Sequence, residues 1–471
     1  MHPKCISMKS YAELIEQTFY FPTPEFRVEN NELLFHNVAL MDIVREYGTP
    51  LKLSYLPKIS ENIRYARTIF NDAIKKHSYR GEYKYCYCTK SSHFQFVLDE
   101  ALKNDIHIET SSAYDIPIVR NLYERKKLTK DTFIISNGYK RPLYRQYLAE
   151  LINEGFNCIP ILDDLTELDY YTENTNKAFN VGIRLAADEE PNFAFYTSRL
   201  GIRYNDIVSF YKEKISKHPK ANLKMLHFFI NTGIKDSAYY WSELSRFVYM
   251  YCELKKICPE LEAVDIGGGF PIKNSLGFEY DYAYMAEQII ENIKWICEKN
   301  HVEVPDIFTE FGSYTVGESG ATIYSVLDQK LQNDKELWYM MDGSFITHMP
   351  DVWGLNEKFI LLPINHWDNI FHRVTIGGLT CDSMDYYDSE AHIGEVFLPV
   401  INRKESLIFG FFHTGAYQES MEGYGGIQHC LIPAPKHIII QKDEEGNLHS
   451  ELFAEEQDSE SMMKILGYSK K

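Results

Sequence analysis

The apolar positions Ile59, Ile63, Ala66, Phe70, Ala73 and Ile74 recur at helical spacing, which predicts an amphipathic helix entered at Pro57. Strand-like runs follow at 83–89, 107–110, 132–136, 158–162, 180–186, 223–230, 263–267 and 306–310, with helical patterns between them at 94–103, 143–153, 238–257 and 282–298. Strands that alternate with helices imply a parallel sheet with crossover helices. Eight repeats within about 240 residues suit a closed barrel better than an open sheet. Beyond about Gly320 the texture changes to short β-rich runs at 321–327, 359–364, 374–379, 396–400, 407–412 and 437–441. Residues 26–40 read as a hairpin turning at Glu29-Asn30-Asn31-Glu32. The expected class is α/β: a (β/α)8 TIM-type barrel plus a C-terminal, mainly β domain that also takes N-terminal strands. The expected divisions are 1–47 for those strands, 48–319 for the barrel, 320–441 for the β domain and 442–471 for an acidic tail with a short helix at 456–466.

Composition narrows the function classes. The chain has 471 residues, of which 45% are hydrophobic and 25% charged, enough for two cored domains. A net charge of -18 without a basic stripe argues against nucleic acid as a partner. It suits solubility and tolerates a cationic small molecule. The 34 tyrosines and 28 phenylalanines supply apolar area for an interior or a subunit interface. Nine cysteines follow no disulfide or zinc spacing, and Cys86 and Cys88 share one strand face as expected buried thiols. Residues 1–10 lack the apolar stretch of a signal peptide, and no run approaches a membrane span. The expectation is a cytoplasmic protein with no membrane partner.

Barrel chemistry gathers at the C-terminal ends of strands. There the sequence places Lys90 at the end of the first strand, Glu109-Thr110-Ser111-Ser112 at the end of the second, Arg184 on the fifth, Asn231-Thr232-Gly233 at the end of the sixth, Gly267-Gly268-Gly269 where the seventh runs out and Glu310-Phe311-Gly312-Ser313 at the end of the eighth. Three consecutive glycines can bring backbone N–H groups close to a phosphate, although an isolated triplet is equally a plain turn. The triplet does not have the dinucleotide spacing G-x-G-x-x-G, which disfavours a nicotinamide cofactor. A phosphate cradle with a lysine beside it points to pyridoxal 5'-phosphate, with Glu310 paired to the ring nitrogen. The plainer alternatives are an exposed loop lysine and a structural carboxylate. No H-x-H or H-E-x-x-H pair ends a strand, so no metal is expected.

With these residues in place, the chain resembles the pyridoxal-phosphate decarboxylases of the alanine-racemase-like barrel fold, the group of ornithine, diaminopimelate and biosynthetic arginine decarboxylases. The likeness runs from about Tyr47 to Ile440. Asn137-Gly138-Tyr139-Lys140, Met349-Pro350-Asp351-Val352-Trp353 and Gly415-Ala416-Tyr417-Gln418-Glu419 resemble the arginine branch, and Thr380-Cys381-Asp382-Ser383 resembles the C-terminal signature. The resemblance implies that Lys90 holds the cofactor covalently and that Arg184 hydrogen-bonds near its ring. It assigns Thr232, Gly269, Gly312 and Tyr417 to the phosphate, with Gly267 and Gly268 in the same cradle. It makes Cys381 the proton donor and Asp382 the receptor for the far, cationic end of a small amino-acid substrate, reached across a homodimer with shared active sites. From the sequence itself, Cys381 is equally a buried thiol.

Two positions depart from the family. Phe229 stands where the family places a ring-stacking histidine; it can stack but cannot titrate. Ser313 stands where the family has an arginine near the phosphate, and a neutral donor is about half as strong as a charged one. Asp351 and Asp382 could together hold a guanidinium, so L-arginine to agmatine, a step of polyamine biosynthesis, is the first choice of reaction. Asp351 could instead cap a turn. Ornithine, lysine, citrulline, diaminopimelate and carboxynorspermidine remain alternative substrates, and a catalytically silent, cofactor-binding regulatory relative is the alternative outside enzymes.

Overall fold

The computed structural model describes residues 21–188, 197–391, 394–402 and 404–468; the segment 1–10 read for a targeting signal lies outside them. Two compact units divide the chain. One comprises Ile59–Pro271 and Tyr280–Thr315, the other Met1–Lys58, Ile272–Glu279 and Val316–Lys471.

The first unit is the expected closed barrel. Its strands are Tyr83–Cys88, His107–Thr110, Ile134–Ser136, Cys158–Leu162, Phe179–Arg184, Ala221–His227, Ala263–Asp265 and Asp306–Phe311. Each pairs in parallel with the next, and the eighth closes on the first with Glu310 opposite Cys86. Strands covered on both faces need near-continuous apolar runs, and all five residues of Cys158–Leu162 are buried. Cys86, Ile135, Ile159, Ile161, Met225, Ala263 and Phe308 fill part of the interior. Two of the outer helices, Ala238–Lys255 and Tyr282–Lys299, are capped by Ser237 and Asp281, which accept from the Tyr240 and Tyr284 N–H groups.

Three strands end earlier than their apolar runs suggest. The fifth stops at Arg184, the sixth at His227 and the seventh at Asp265, so residues 228–232 and 266–269 form loops at the barrel mouth. The departure is local: Gly233 and Gly267 take φ of 73° and 68°, values that L side chains rarely adopt.

The second unit is built on a nine-stranded sheet. Phe26–Glu29 and Glu32–Phe35 form the expected hairpin. Leu51–Tyr55, for which the sequence pattern gave no strand, lies antiparallel to Gly320–Gln332 and parallel to Lys436–Lys442. Leu448–Ala454 adds an antiparallel strand inside the segment read as a polar tail, and Ser459–Ile465 is the short helix expected there. Phe26, Phe35, Leu53, Ile323, Leu362, Phe412 and Ile438 meet in one core cluster of this unit.

Buried histidines in this unit give a pH-dependent stability. Burial lowers His348 to about 3 and His437 to about 4, and His348 Nε2 lies 3.0 Å from the Pro433 carbonyl while His437 Nε2 lies 2.8 Å from Ser54 Oγ. Between these values and the ordinary histidine pKa of about 6.5, the unfolded chain binds protons that the folded chain refuses. Stability therefore falls on acidification through that window, by up to about 1.4 kcal/mol per pH unit for each histidine. Urea midpoints should drop between pH 7 and pH 5, and a flat profile would show that these rings are accessible to protons in the fold.

Candidate active site

Lys90 sits in a single 3-10 turn, Thr89–Ser91, directly after the first barrel strand. Neighbouring polar groups fix that turn. The Thr89 hydroxyl donates to the Glu109 carbonyl at 3.1 Å, the Ser91 hydroxyl to the Cys88 carbonyl at 2.8 Å, and the Cys88 thiol to the Glu310 carbonyl at 3.1 Å. The lysine side chain is 44% exposed and its Nζ lies 3.5 Å from Glu109 Oε2, on a carboxylate with no exposure. A reactive amine that reaches solvent from a rigid base can be attacked and displaced without moving the backbone.

A buried polar cluster lies at this mouth. The Asn137 amide donates to Glu109 Oε1 at 3.1 Å and to Glu310 Oε1 at 2.7 Å, so one side chain bridges two carboxylates. His227 Nε2 lies 3.1 Å from Glu310 Oε2. Burial alone would raise Glu310, but the His227 ring, Lys90 and Asn137 together hold it below the usual carboxylate range. Burial lowers His227, so its neutral ring serves as the donor. Asp265 is pushed well above the ordinary range, by burial first and then by the charge of Glu310; its Oδ1 accepts the Gly267 N–H at 2.8 Å. Glu109 is raised too, chiefly by burial. Of the three buried carboxyl groups, Glu310 is the one whose surroundings favour the ionised form, while those of Glu109 and Asp265 favour the neutral acid.

Arg184 and Phe229 complete the rim. The guanidinium carbon stands 5.8 Å from the centre of the Phe229 ring, and Phe229 is 38% exposed although its neighbour Phe228 is buried. The three glycines are tightly packed. A Cβ on Gly267 would lie 2.8 Å from the Phe228 carbonyl oxygen, one on Gly268 only 2.2 Å from the Glu310 carbonyl oxygen, and one on Gly269 2.6 Å from Gly233 Cα. Their absence of side chains therefore lets the loop after the seventh strand touch, backbone to backbone, both the loop after the sixth strand and the end of the eighth strand. Thr232 lies half-buried in the turn after the sixth strand, and Gly312 is buried after the eighth.

The remaining expected residues belong to the β unit. Asp351 is buried in Pro350–Leu355 and does not cap that helix; its Oδ2 accepts the Gln418 amide at 2.6 Å, and its Oδ1 has no hydrogen-bond partner among the described residues. Tyr417 precedes Gln418–Glu422 with φ of 67°. Cys381 is exposed, which corrects the alternative of a buried thiol, and Asp382 beside it accepts the Met384 N–H at 2.8 Å. Asp385 pins this loop by accepting from the Thr380 N–H and hydroxyl at 3.0 and 2.7 Å and from the Phe345 N–H at 2.8 Å.

Comparison with known proteins identifies the family. The family model described as pyridoxal-dependent decarboxylase, pyridoxal binding domain, matches residues 66–317. The chain belongs to this family. A biosynthetic arginine decarboxylase of Prochlorococcus marinus (strain MIT 9215) is 21% identical, over 90% of this chain and 83% of the relative. Among solved structures, the biosynthetic arginine decarboxylase from Campylobacter jejuni superposes with a TM-score of 0.80 at 21% identity, covering 95% of this chain and 89% of the other. Diaminopimelate decarboxylase from M. jannaschi gives 0.78 at 17% identity, covering 94% and 98%. The protein is thus a pyridoxal-phosphate-dependent amino-acid decarboxylase with the alanine-racemase-like barrel.

The barrel residues fit that cofactor. Arg184 Nε and Asp265 Oδ2 are buried without hydrogen-bond partners among the described residues, Phe229 offers an exposed aromatic face, and Lys90 offers an amine beside the buried Glu109 carboxyl group. Sequence reasoning gave no chemical role to four members of the cluster. Glu109 ends a strand and was legible as a candidate. Asn137, His227 and Asp265 gain meaning only through their partners across the barrel.

Proposed function

We propose that this decarboxylase acts on an amino acid with a cationic side-chain end, with L-arginine giving agmatine as the first choice. The observation that carries the substrate choice is Asp351, a buried carboxylate with one oxygen held by Gln418 and the other unpartnered. Burial raises its pKa, a penalty that an incoming guanidinium would remove by pairing with it. The arginine-branch likeness around Asp351 and Gln418 supports the same choice, as do the names of the curated relatives.

When bound, pyridoxal phosphate supplies a ring that accepts the electron pair left on Cα as CO2 departs. The chain's own residues do the rest. Lys90 provides the amine that holds the cofactor, and Glu310 keeps a negative charge for the ring nitrogen. Arg184 and Phe229 border the ring; Phe229 stacks but carries no proton. Thr232, Gly269, Gly312 and Tyr417 hold the phosphate, with Gly267 and Gly268 shaping the cradle. Cys381 returns a proton to Cα, and the Cys430 sulfur that shares a hydrogen with it keeps its thiol above the usual range, hence protonated. In this reading Cys381 and Asp382 serve the site of a second copy, in a cytoplasmic homodimer. Among the described residues no helix is long and apolar enough to cross a membrane.

A product screen with arginine, ornithine, lysine, citrulline and diaminopimelate tests the substrate. Arginine should turn over fastest, and Asp351→Asn should raise its KM by about tenfold or more with a smaller change in kcat. Turnover restricted to an uncharged or dicarboxylic substrate would refute the proposal.

A further inference from the structure

Eight cysteines lie among the described residues; six are buried, and Cys381 and Cys430 are the two exposed. Those two meet across 49 residues of sequence. Their sulfurs lie 3.4 Å apart, and the Cys381 backbone N–H donates to Cys430 Sγ at 3.5 Å. A disulfide needs about 2.05 Å between sulfurs, a gap that side-chain rotation in an exposed loop can close. His429 brings a ring nitrogen to the same place, with one donor atom from each of the three residues lying within 4.8 Å of one another. The backbone presents the pair from both sides. Asp385 holds the Thr380 end of one loop, while Cys430 and Leu431 occupy the left-handed region in succession at φ 56° and 53°. The buried pair Cys252 and Cys297, 3.9 Å apart, has no such access and serves as an internal reference.

We propose that Cys381 and Cys430 form a reversible intrachain disulfide by exchange with a small-molecule disulfide, and that its closure withdraws the Cys381 thiol from the decarboxylation site. The first thiol proton passes to solvent beside the exposed pair. One cysteine thiolate attacks a sulfur of the small disulfide, forming a mixed disulfide and releasing one small thiolate, which takes up a proton. The second cysteine, deprotonated, attacks the protein sulfur of that bond. The chain's S–S bond forms, and the second small thiol leaves with the remaining proton. The protein loses two electrons and two protons, and the small disulfide gains both. A low-molecular-weight dithiol reverses the exchange. The pairing stands on the geometry of the two sulfurs alone; its effect on turnover rests on the proton-donor role proposed for Cys381.

The test treats the cofactor-loaded enzyme with oxidised glutathione and follows intact mass, disulfide peptides and turnover together. The expected protein is lighter by about two hydrogen masses, with one peptide joining Cys381 to Cys430 and with Cys252 and Cys297 still reduced. Turnover should fall by about tenfold or more as the link forms and return with dithiothreitol. Cys430→Ser is read against its own reduced form, whose turnover sets its baseline. Under oxidised glutathione it should instead retain a stable glutathione adduct on Cys381, because no second sulfur is at hand to displace it. A lasting adduct at Cys381 in the unaltered enzyme, or a link from Cys381 to any other cysteine or to a second copy, overturns the proposal. So does a pair of thiols that stay unreactive until a chelator is added, which would reassign the cluster to a metal held with His429. A complete link with undiminished turnover overturns the inhibitory consequence and removes Cys381 from the acid role. Failure of the unaltered enzyme to form the link under oxidised glutathione overturns the pairing, and loss of turnover in Cys381→Ser then leaves the proton-donor role standing.

Discussion

Lys90→Ala should lower kcat by about 10^4-fold or more, the largest effect expected of any single substitution in this protein. The variant should also lose the visible absorbance of covalently held cofactor, and borohydride treatment should no longer fix the cofactor to the peptide containing residue 90. The physical reason is the position of the amine. Its strand end is fixed by the Thr89, Ser91 and Cys88 hydrogen bonds, and the amine stands 3.5 Å from a buried carboxylate. The truncated side chain is partly exposed, so little stability should be lost and the activity change can be read as chemistry. Removing Lys90 also leaves Glu109 without its cation, and burial then favours the neutral acid more strongly. An unchanged spectrum in Lys90→Ala would place the cofactor on another lysine.

Glu310→Gln should cost about 10^2- to 10^3-fold in kcat, because an amide keeps the shape of the carboxylate and loses its charge. The Asn137 amide can still donate to the new carbonyl oxygen. The new NH2 group would then face His227 Nε2, which can accept only if the ring proton moves to Nδ1, an atom with no hydrogen-bond partner among the described residues. The cluster therefore survives with one weaker contact, and cofactor should remain bound with an altered spectrum. Loss of the Glu310 charge also lets the Asp265 pKa fall, since that charge is the second cause of its elevation. Some negative charge then returns beside the same site. Asp265→Asn alone should change kcat by less than about tenfold, because burial and the Glu310 charge already favour the neutral form of that carboxyl, while the double variant should fall below Glu310→Gln. Equal losses in the two single variants would mean that the ionised group is wrongly assigned.

The barrel was legible because its signal is periodic. The run 158–162 is apolar enough to be covered on both faces, and the helices between the strands carry a buried stripe. The early ends of the sixth and seventh strands were not legible, since Phe228, Phe229, Ile230 and Ile266 continue the apolar pattern into the loops. Leu51–Tyr55 was missed for a related reason. Its neighbours in the sheet come from about 270 and about 385 residues further along, and a five-residue run carries no mark of such partners.

The amino-acid order by itself determined the kind of chemistry: a lysine after the first strand, a carboxylate after the eighth and a glycine triplet after the seventh, spaced as a barrel requires. Tertiary structure alone decided which carboxyl carries the charge. Glu109, Asp265 and Glu310 look equivalent along the chain, and only the contacts of Glu310 with both His227 and Asn137 separate it from the other two. Charge state depends on desolvation and on partners brought from distant strands, and neither is a property of a residue and its sequence neighbours. The meeting of Cys381 with Cys430 has the same origin, in loops that the fold, and not the sequence, sets side by side.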